Sequence, residues 1–192
     1  MSQRWNKVAR ELANGITKSS EEISKIIPQS IGEVSAERLS IHKVLSALGQ
    51  FQECVRYLNT RRSKGAAIDI NGEDDLQDVL YLMLRPWIID LTPENPTDKA
   101  ASRYSFEDFL SKESGIVVEA KYVRDKKHGK EITRELNDDI ENYRNHPNCD
   151  CLVFFIYDPN SLIPDVTALR KHVETKRNYN GKTLSVHCVV KP

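Results

Sequence analysis

Apolar positions along the chain follow two different rhythms. Up to about residue 65 they recur at threes and fours, the spacing of one face of a helix. Trp5, Val8, Ala9 and Leu12 share such a face, and the segment NGIT ends it. Ser19 and Glu22 have capping-box spacing ahead of Ile23, Ile26 and Ile27, and Pro28 closes that helix. A third helix is marked by Ile41, Val44, Leu45, Leu48, Phe51, Val55 and Leu58. Its stripe runs for few turns, so it reads as an amphipathic helix packed within the chain rather than a dimer seam.

Past the basic, small-residue stretch TRRSKGAA (60–67) the rhythm changes. A helix is predicted from Glu73 to about Leu84, ended by Pro86, then strands near 105–110 and 116–123 and a helix over 129–143. CLVFFIY (151–157) is a continuous apolar run, as expected of a strand buried on both faces. A helix near 165–177 and a strand LSVHCVV (184–190) follow. This alternation predicts an α/β class: a mixed sheet flanked by helices, with an N-terminal all-helical extension. The expected division is a helical regulatory or oligomerisation domain over 1–65 and a sheet-bearing domain over 66–192.

The second predicted strand carries charges among its apolar residues. Side chains alternate along a strand, so Glu119 and Lys121 face one way while Ile116, Val118, Ala120 and Tyr122 face the other. Asp108 shares a face with Phe106 and Leu110. An even-numbered turn, Glu113-Ser114 or Lys112 to Gly115, sets Asp108 opposite Glu119, with Cβ atoms about 4.5–5.5 Å apart. Two carboxylates so placed repel unless a cation or a proton lies between them. Such oxygens suit Mg²⁺, with Mn²⁺ as a substitute. Lys121 is then set to orient or deprotonate a water, or to stabilise charge developing on a phosphate. The same three residues also fit an edge hairpin with a solvated face.

Two helices aim polar residues inward. Leu76, Leu80, Met83 and Leu84 define an apolar arc, with Glu73 and Gln77 in or beside it and Asp74, Asp75 and Asp78 opposite. A buried carboxylate needs compensation, and for Glu73 either a shared metal or the helix N-terminus supplies it. In the later helix Ile132, Leu136, Ile140 and Tyr143 form the stripe, and Asp139 projects from its middle while Asp138 does not. Asp139 either bonds a tyrosine or the backbone, or serves the site directly.

Composition changes little. The chain has 28 basic and 28 acidic side chains, so its net charge argues neither for nor against nucleic acid. Basic residues gather at Arg61, Arg62 and Lys64, at Arg124, Lys126, Lys127 and Lys130, and at Lys171, Lys176 and Arg177. No apolar run approaches the roughly 18 residues of a membrane span, and the start lacks the pattern of a secretory signal. Four sparse cysteines (Cys54, Cys149, Cys151, Cys188) do not make a disulfide framework, so a reducing cytoplasm is the expected setting. His146, Cys149 and Cys151 have no second ligand cluster for structural zinc, and His187 and Cys188 read as packing. Gly-rich phosphate loops, GxSxG elbows and HExxH helices are absent.

The order helix with Glu, strand with Asp, strand with ExK, helix, buried strand resembles the PD-(D/E)XK nuclease core. More narrowly, NGEDDLQDVLYLML, VVEAKYV and DDIENYRNHPNCDCLVFFIYDP are similar to the branch containing GATC-type restriction endonucleases. The likeness covers about residues 70 to 190 and leaves the helical first third aside. It implies a restriction-endonuclease-like core and a Mg²⁺-dependent endonuclease that hydrolyses DNA phosphodiester bonds in prokaryotic restriction or phage defence. By position it makes Asp108 and Glu119 metal ligands, adds the carbonyl of Ala120, and makes Lys121 the catalytic lysine. Glu73 would complete the acidic cluster, with Gln77, Asp139 and Tyr143 around it. The family's short R-x-D-F is altered to SRYSFEDF: four residues separate Arg103 from Asp108, and Phe106 takes the arginine's offset. Either the strand holds an insertion or a phosphate-side contact is missing. Alternatives are an RNA or structure-specific nuclease, and a nuclease-fold binding or assembly module without hydrolysis. The expected partners are a DNA substrate and, through the N-terminal helices, a homodimer or larger defence complex, with no membrane.

Overall fold

The apolar run Cys151–Tyr157 forms an inner strand of a six-stranded mixed sheet, as a strand covered on both faces should. The computed structural model describes residues 41–60, 69–93, 108–179 and 182–192. The readings made for the first forty residues, for the basic stretch around Arg61, Arg62 and Lys64, and for Arg103 and Phe106 lie outside the described residues.

In chain order the described elements are α1 (Ile41–Gly49), α2 (Phe51–Thr60), α3 (Glu73–Leu84), β1 (Thr92–Pro93), β2 (Phe109–Ser111), β3 (Ile116–Tyr122), α4 (Lys126–Tyr143), β4 (Cys151–Tyr157), α5 (Val166–Val173), β5 (Arg177–Tyr179) and β6 (Lys182–Lys191). The sheet runs β1-β2-β3-β4-β6-β5. β3, β4 and β6 are parallel, and antiparallel strands complete both edges. Local chemistry starts both helices of one layer. Asp125 caps α4 by accepting from the His128 N–H at 2.8 Å, and Asp165 caps α5 by accepting from the Ala168 N–H at 2.8 Å.

Period-two alternation gives the sheet two cores. Val117, Leu152, Phe154, Ile156, Leu184 and Val186 pack with Ile132, Leu136, Ile140 and Tyr143 of α4 and Leu169 and Val173 of α5. Ile116, Val118, Ala120, Val153 and Phe155 pack on the other face with α1, α3 and Phe51. Phe51 lies edge-on to Tyr157 with ring centroids 5.2 Å apart, and 4.8 Å from Phe155.

The β2–β3 hairpin closes through the four residues Lys112 to Gly115. Gly115 has φ +66, and a Cβ there would also meet Asp150 Oδ2 at 2.8 Å. Asp90 pins the turn, accepting from Ser111 Oγ at 2.7 Å and from the Glu113 N–H at 2.9 Å.

Several elements differ from expectation. The stripe 41–58 is two helices broken at Gln50, whose N–H bonds Ala47 O at 3.0 Å in a tight turn. All described residues belong to one unit, Arg38–Pro192, and Val44, Leu48 and Phe51 share a core with the sheet. α5 stops at Val173 rather than near 177, because Glu174 leaves helical geometry at ψ 67. The chain then forms β5, a strand too short to show a period. Val79 is buried on α3 where Met83 was expected, and Met83 is half-buried. Cys149 and Cys188 are buried in the α4-side core, while Cys151 lies half-buried at the start of β4.

Candidate active site

β2 ends its ladder at Phe109, paired with Val118. Continuing that register by one residue brings Asp108 opposite Glu119, as the even-numbered turn requires. Beyond that point β3 has no ladder partner on this side among the described residues, and carboxylates take its backbone groups. The Ala120 N–H donates to Asp108 Oδ2 at 2.6 Å, and the Tyr122 N–H donates to Glu73 Oε2 at 3.2 Å. A residue's N–H and C=O lie on the same edge of a strand, so the Ala120 carbonyl also faces this side. From α3, Gln77 Nε2 donates to Asp108 Oδ1 at 2.8 Å. The helix arc that carried Glu73 and Gln77 inward therefore delivers both to the end of the hairpin.

Glu119 and Lys121 share the face of β3 that α4 covers. The chain rises along β3 and returns along α4, so residue numbers run in opposite directions across the contact. Four residues of helix advance about 6 Å and two residues of strand about 6.6 Å. The spacing 139/143 thus matches the spacing 121/119. Tyr143 Oη donates a short hydrogen bond to Glu119 Oε1, and Lys121 Nζ lies 3.1 Å from Asp139 Oδ2. Lys121 Nζ is 3.9 Å from Glu119 Oε2.

The electrostatics follow from this crowding. Glu119 is only 4% exposed. Burial first, and then the charge of Asp108, push its carboxyl well above the usual carboxylate range, against the Tyr143 hydrogen bond and the Lys121 charge. For Lys121, burial acts to lower the pKa, but Asp139, Glu119 and Glu73 outweigh it and raise it above the usual lysine value. An ammonium held this way is a hydrogen-bond donor and a fixed positive charge.

Asp108, Glu119, Lys121, Gln77, Asp139 and Tyr143 therefore meet around the β2–β3 hairpin. Glu73 reaches the same strand edge but rests on the Tyr122 N–H. Among the described residues no three His, Cys, Asp or Glu side chains gather closely enough to hold a cation by themselves. The expected three-carboxylate cluster is thus not assembled. What remains fits Mg²⁺ on the chemistry of its donors: two buried carboxyl groups at facing positions, with a backbone carbonyl beside them. Mg²⁺ needs only one or two carboxylates and keeps several waters.

Sequence reasoning missed two supports of this site. Asp158 accepts from the N–H groups of Leu162 and Ile163 at 2.8 and 2.9 Å, holding the loop after β4. That loop lies against Gly129 of α4, where a Cβ would meet Leu162 O at 2.5 Å. The signal was present in YDPNSL, where an Asp precedes turn-forming residues.

The family model REase_DpnII-MboI matches residues 42–191, a span that takes in all of α1 but its first residue, the whole sheet and every site residue named above. No curated protein matches the chain, and no solved structure does. With most of its length matched, and with the fold and hairpin expected of that group, the chain belongs to the DpnII-MboI restriction endonuclease family.

Proposed function

We propose that this member of a DNA-cleaving family hydrolyses phosphodiester bonds with a divalent cation held by Asp108, Glu119 and the Ala120 carbonyl. The observation that carries this reading is the meeting of two buried carboxyl groups and one enclosed lysine at the end of a hairpin. When bound, the cation supplies Lewis-acid polarisation of the scissile phosphate and acidifies a water. The residues do the rest. Asp108 is held in place by the Ala120 N–H and Gln77, and Glu119 by Tyr143. Lys121 presents a fixed positive charge to the negative charge that grows on the phosphate. Glu73 keeps the edge of β3 in place through the Tyr122 N–H.

The family favours duplex DNA as substrate and restriction or phage defence as the setting. No helix among the described residues is long and apolar enough to cross a membrane. The test is incubation of the purified protein with plasmid, linear duplex, single strand and RNA, with Mg²⁺, Mn²⁺ or chelator. Cleavage of duplex DNA that chelator stops is the expected result. Cleavage unaffected by chelator, or confined to RNA, contradicts the proposal.

A further inference from the structure

The ion pair between Lys121 and Asp139 is not demanded by hydrolysis itself, and it has a cost. It commits the Lys121 ammonium to a carboxylate outside the Asp108–Glu119 pair. The two side chains are largely enclosed, at 16% and 19% exposed, so water offers Lys121 little alternative. Glu119 Oε2 lies 3.9 Å from the same ammonium. An ammonium that closed this gap would neutralise the carboxylate that has to receive a cation. Tyr143 fixes Glu119 Oε1 from one side, and Asp139 draws Lys121 away from the other. Both residues come from one face of α4, four positions apart, across from two residues of β3.

We propose that Asp139 is a positioning residue that holds the Lys121 ammonium off Glu119, so that the carboxylate stays available to a divalent cation. This rests on the reading of Asp108, Glu119 and Lys121 given above. It differs from a general effect of negative charge, because Asp139 then acts only through Lys121. With Lys121 absent, Asp139 has nothing to hold.

Calorimetric titration of Mg²⁺ into five full-length proteins tests this: wild type, Asp139→Asn, Asp139→Glu, Lys121→Ala and the double variant Lys121→Ala/Asp139→Asn. Asparagine keeps the shape and loses the ion pair. Asp139→Asn should weaken cation binding roughly tenfold, the usual scale for a partner one step removed from the metal. Asp139→Glu should recover most of that loss, which separates a lost ion pair from a damaged fold. The double variant should bind as Lys121→Ala does. Unchanged binding in Asp139→Asn overturns the inference. So does an equal loss in the Lys121→Ala background, which would make Asp139 a through-space charge. A wild type that binds no Mg²⁺ overturns the underlying hydrolytic reading, and the inference falls with it.

Discussion

Asp108 Oδ2 accepts the backbone N–H of Ala120 at 2.6 Å, so the carboxylate at the start of one strand is fixed by the backbone of the next. The contact links chemistry to register. A one-residue slip of the hairpin would turn Glu119 and Lys121 to the opposite face and part them from α4. Asp90 on Ser111 and Glu113, and Gly115 in its left-handed conformation, both resist that slip.

Glu119 should cost stability while it waits for a cation. Its folded pKa lies above its unfolded one, first through burial and then through Asp108. Its stabilising contribution is therefore complete below the unfolded pKa and is lost as pH rises through the folded pKa. In chelator at neutral pH, Glu119→Gln should melt at a higher temperature than wild type. The gap should shrink as pH falls toward about 4, where the unfolded carboxyl also protonates. Mg²⁺ should raise the wild-type melting temperature and leave the variant unmoved. Thermal melts across pH check this, and a less stable variant above neutrality would contradict it.

Gln77 should matter to rate more than to folding. It is half-buried and donates to Asp108 at 2.8 Å. Gln77→Leu should slow cleavage roughly tenfold or more, the scale of lost outer-shell partners. Gln77→Glu should be worse, since it sets a like charge against Asp108. Single-turnover rates at saturating DNA check the order, wild type above Leu above Glu.

Gly129→Ala should damage the site from a distance. The added methyl meets backbone rather than a flexible side chain, at 2.5 Å from Leu162 O and 2.8 Å from Leu162 C. Relief requires α4 or the loop to move, at about 1–3 kcal/mol. Because α4 carries Asp139 and Tyr143, a lower melting temperature should come with slower cleavage. A variant that melts lower but cleaves at the wild-type rate would show that α4 tolerates the shift.

Local contacts made much of this legible in the sequence. Strand alternation put Glu119 and Lys121 on one face, and the even-numbered turn put Asp108 opposite Glu119. The stripe of α4 identified Asp139 and Tyr143 as inward-facing. Their partners were not legible, because the pairings 143 with 119 and 139 with 121 depend on how the helix passes over the sheet. β1 and β5, two and three residues long, exist through strands that pair with them rather than through any period of their own. The stripe of 41–58 showed an apolar face but not what covers it, and the sheet-side core at Val44, Leu48 and Phe51 supplied the answer. Glu73 was recognised as inward-facing, yet its partner is a backbone N–H rather than a shared acidic cluster.

The most direct measurement is the single-turnover cleavage rate of a duplex DNA substrate in Mg²⁺ by wild type and by Lys121→Ala, with folding verified by thermal melts. If Lys121 supplies the fixed positive charge beside the scissile phosphate, its removal should slow cleavage by roughly a hundredfold or more while the protein stays folded. Cleavage by a folded Lys121→Ala protein at the wild-type rate would contradict it.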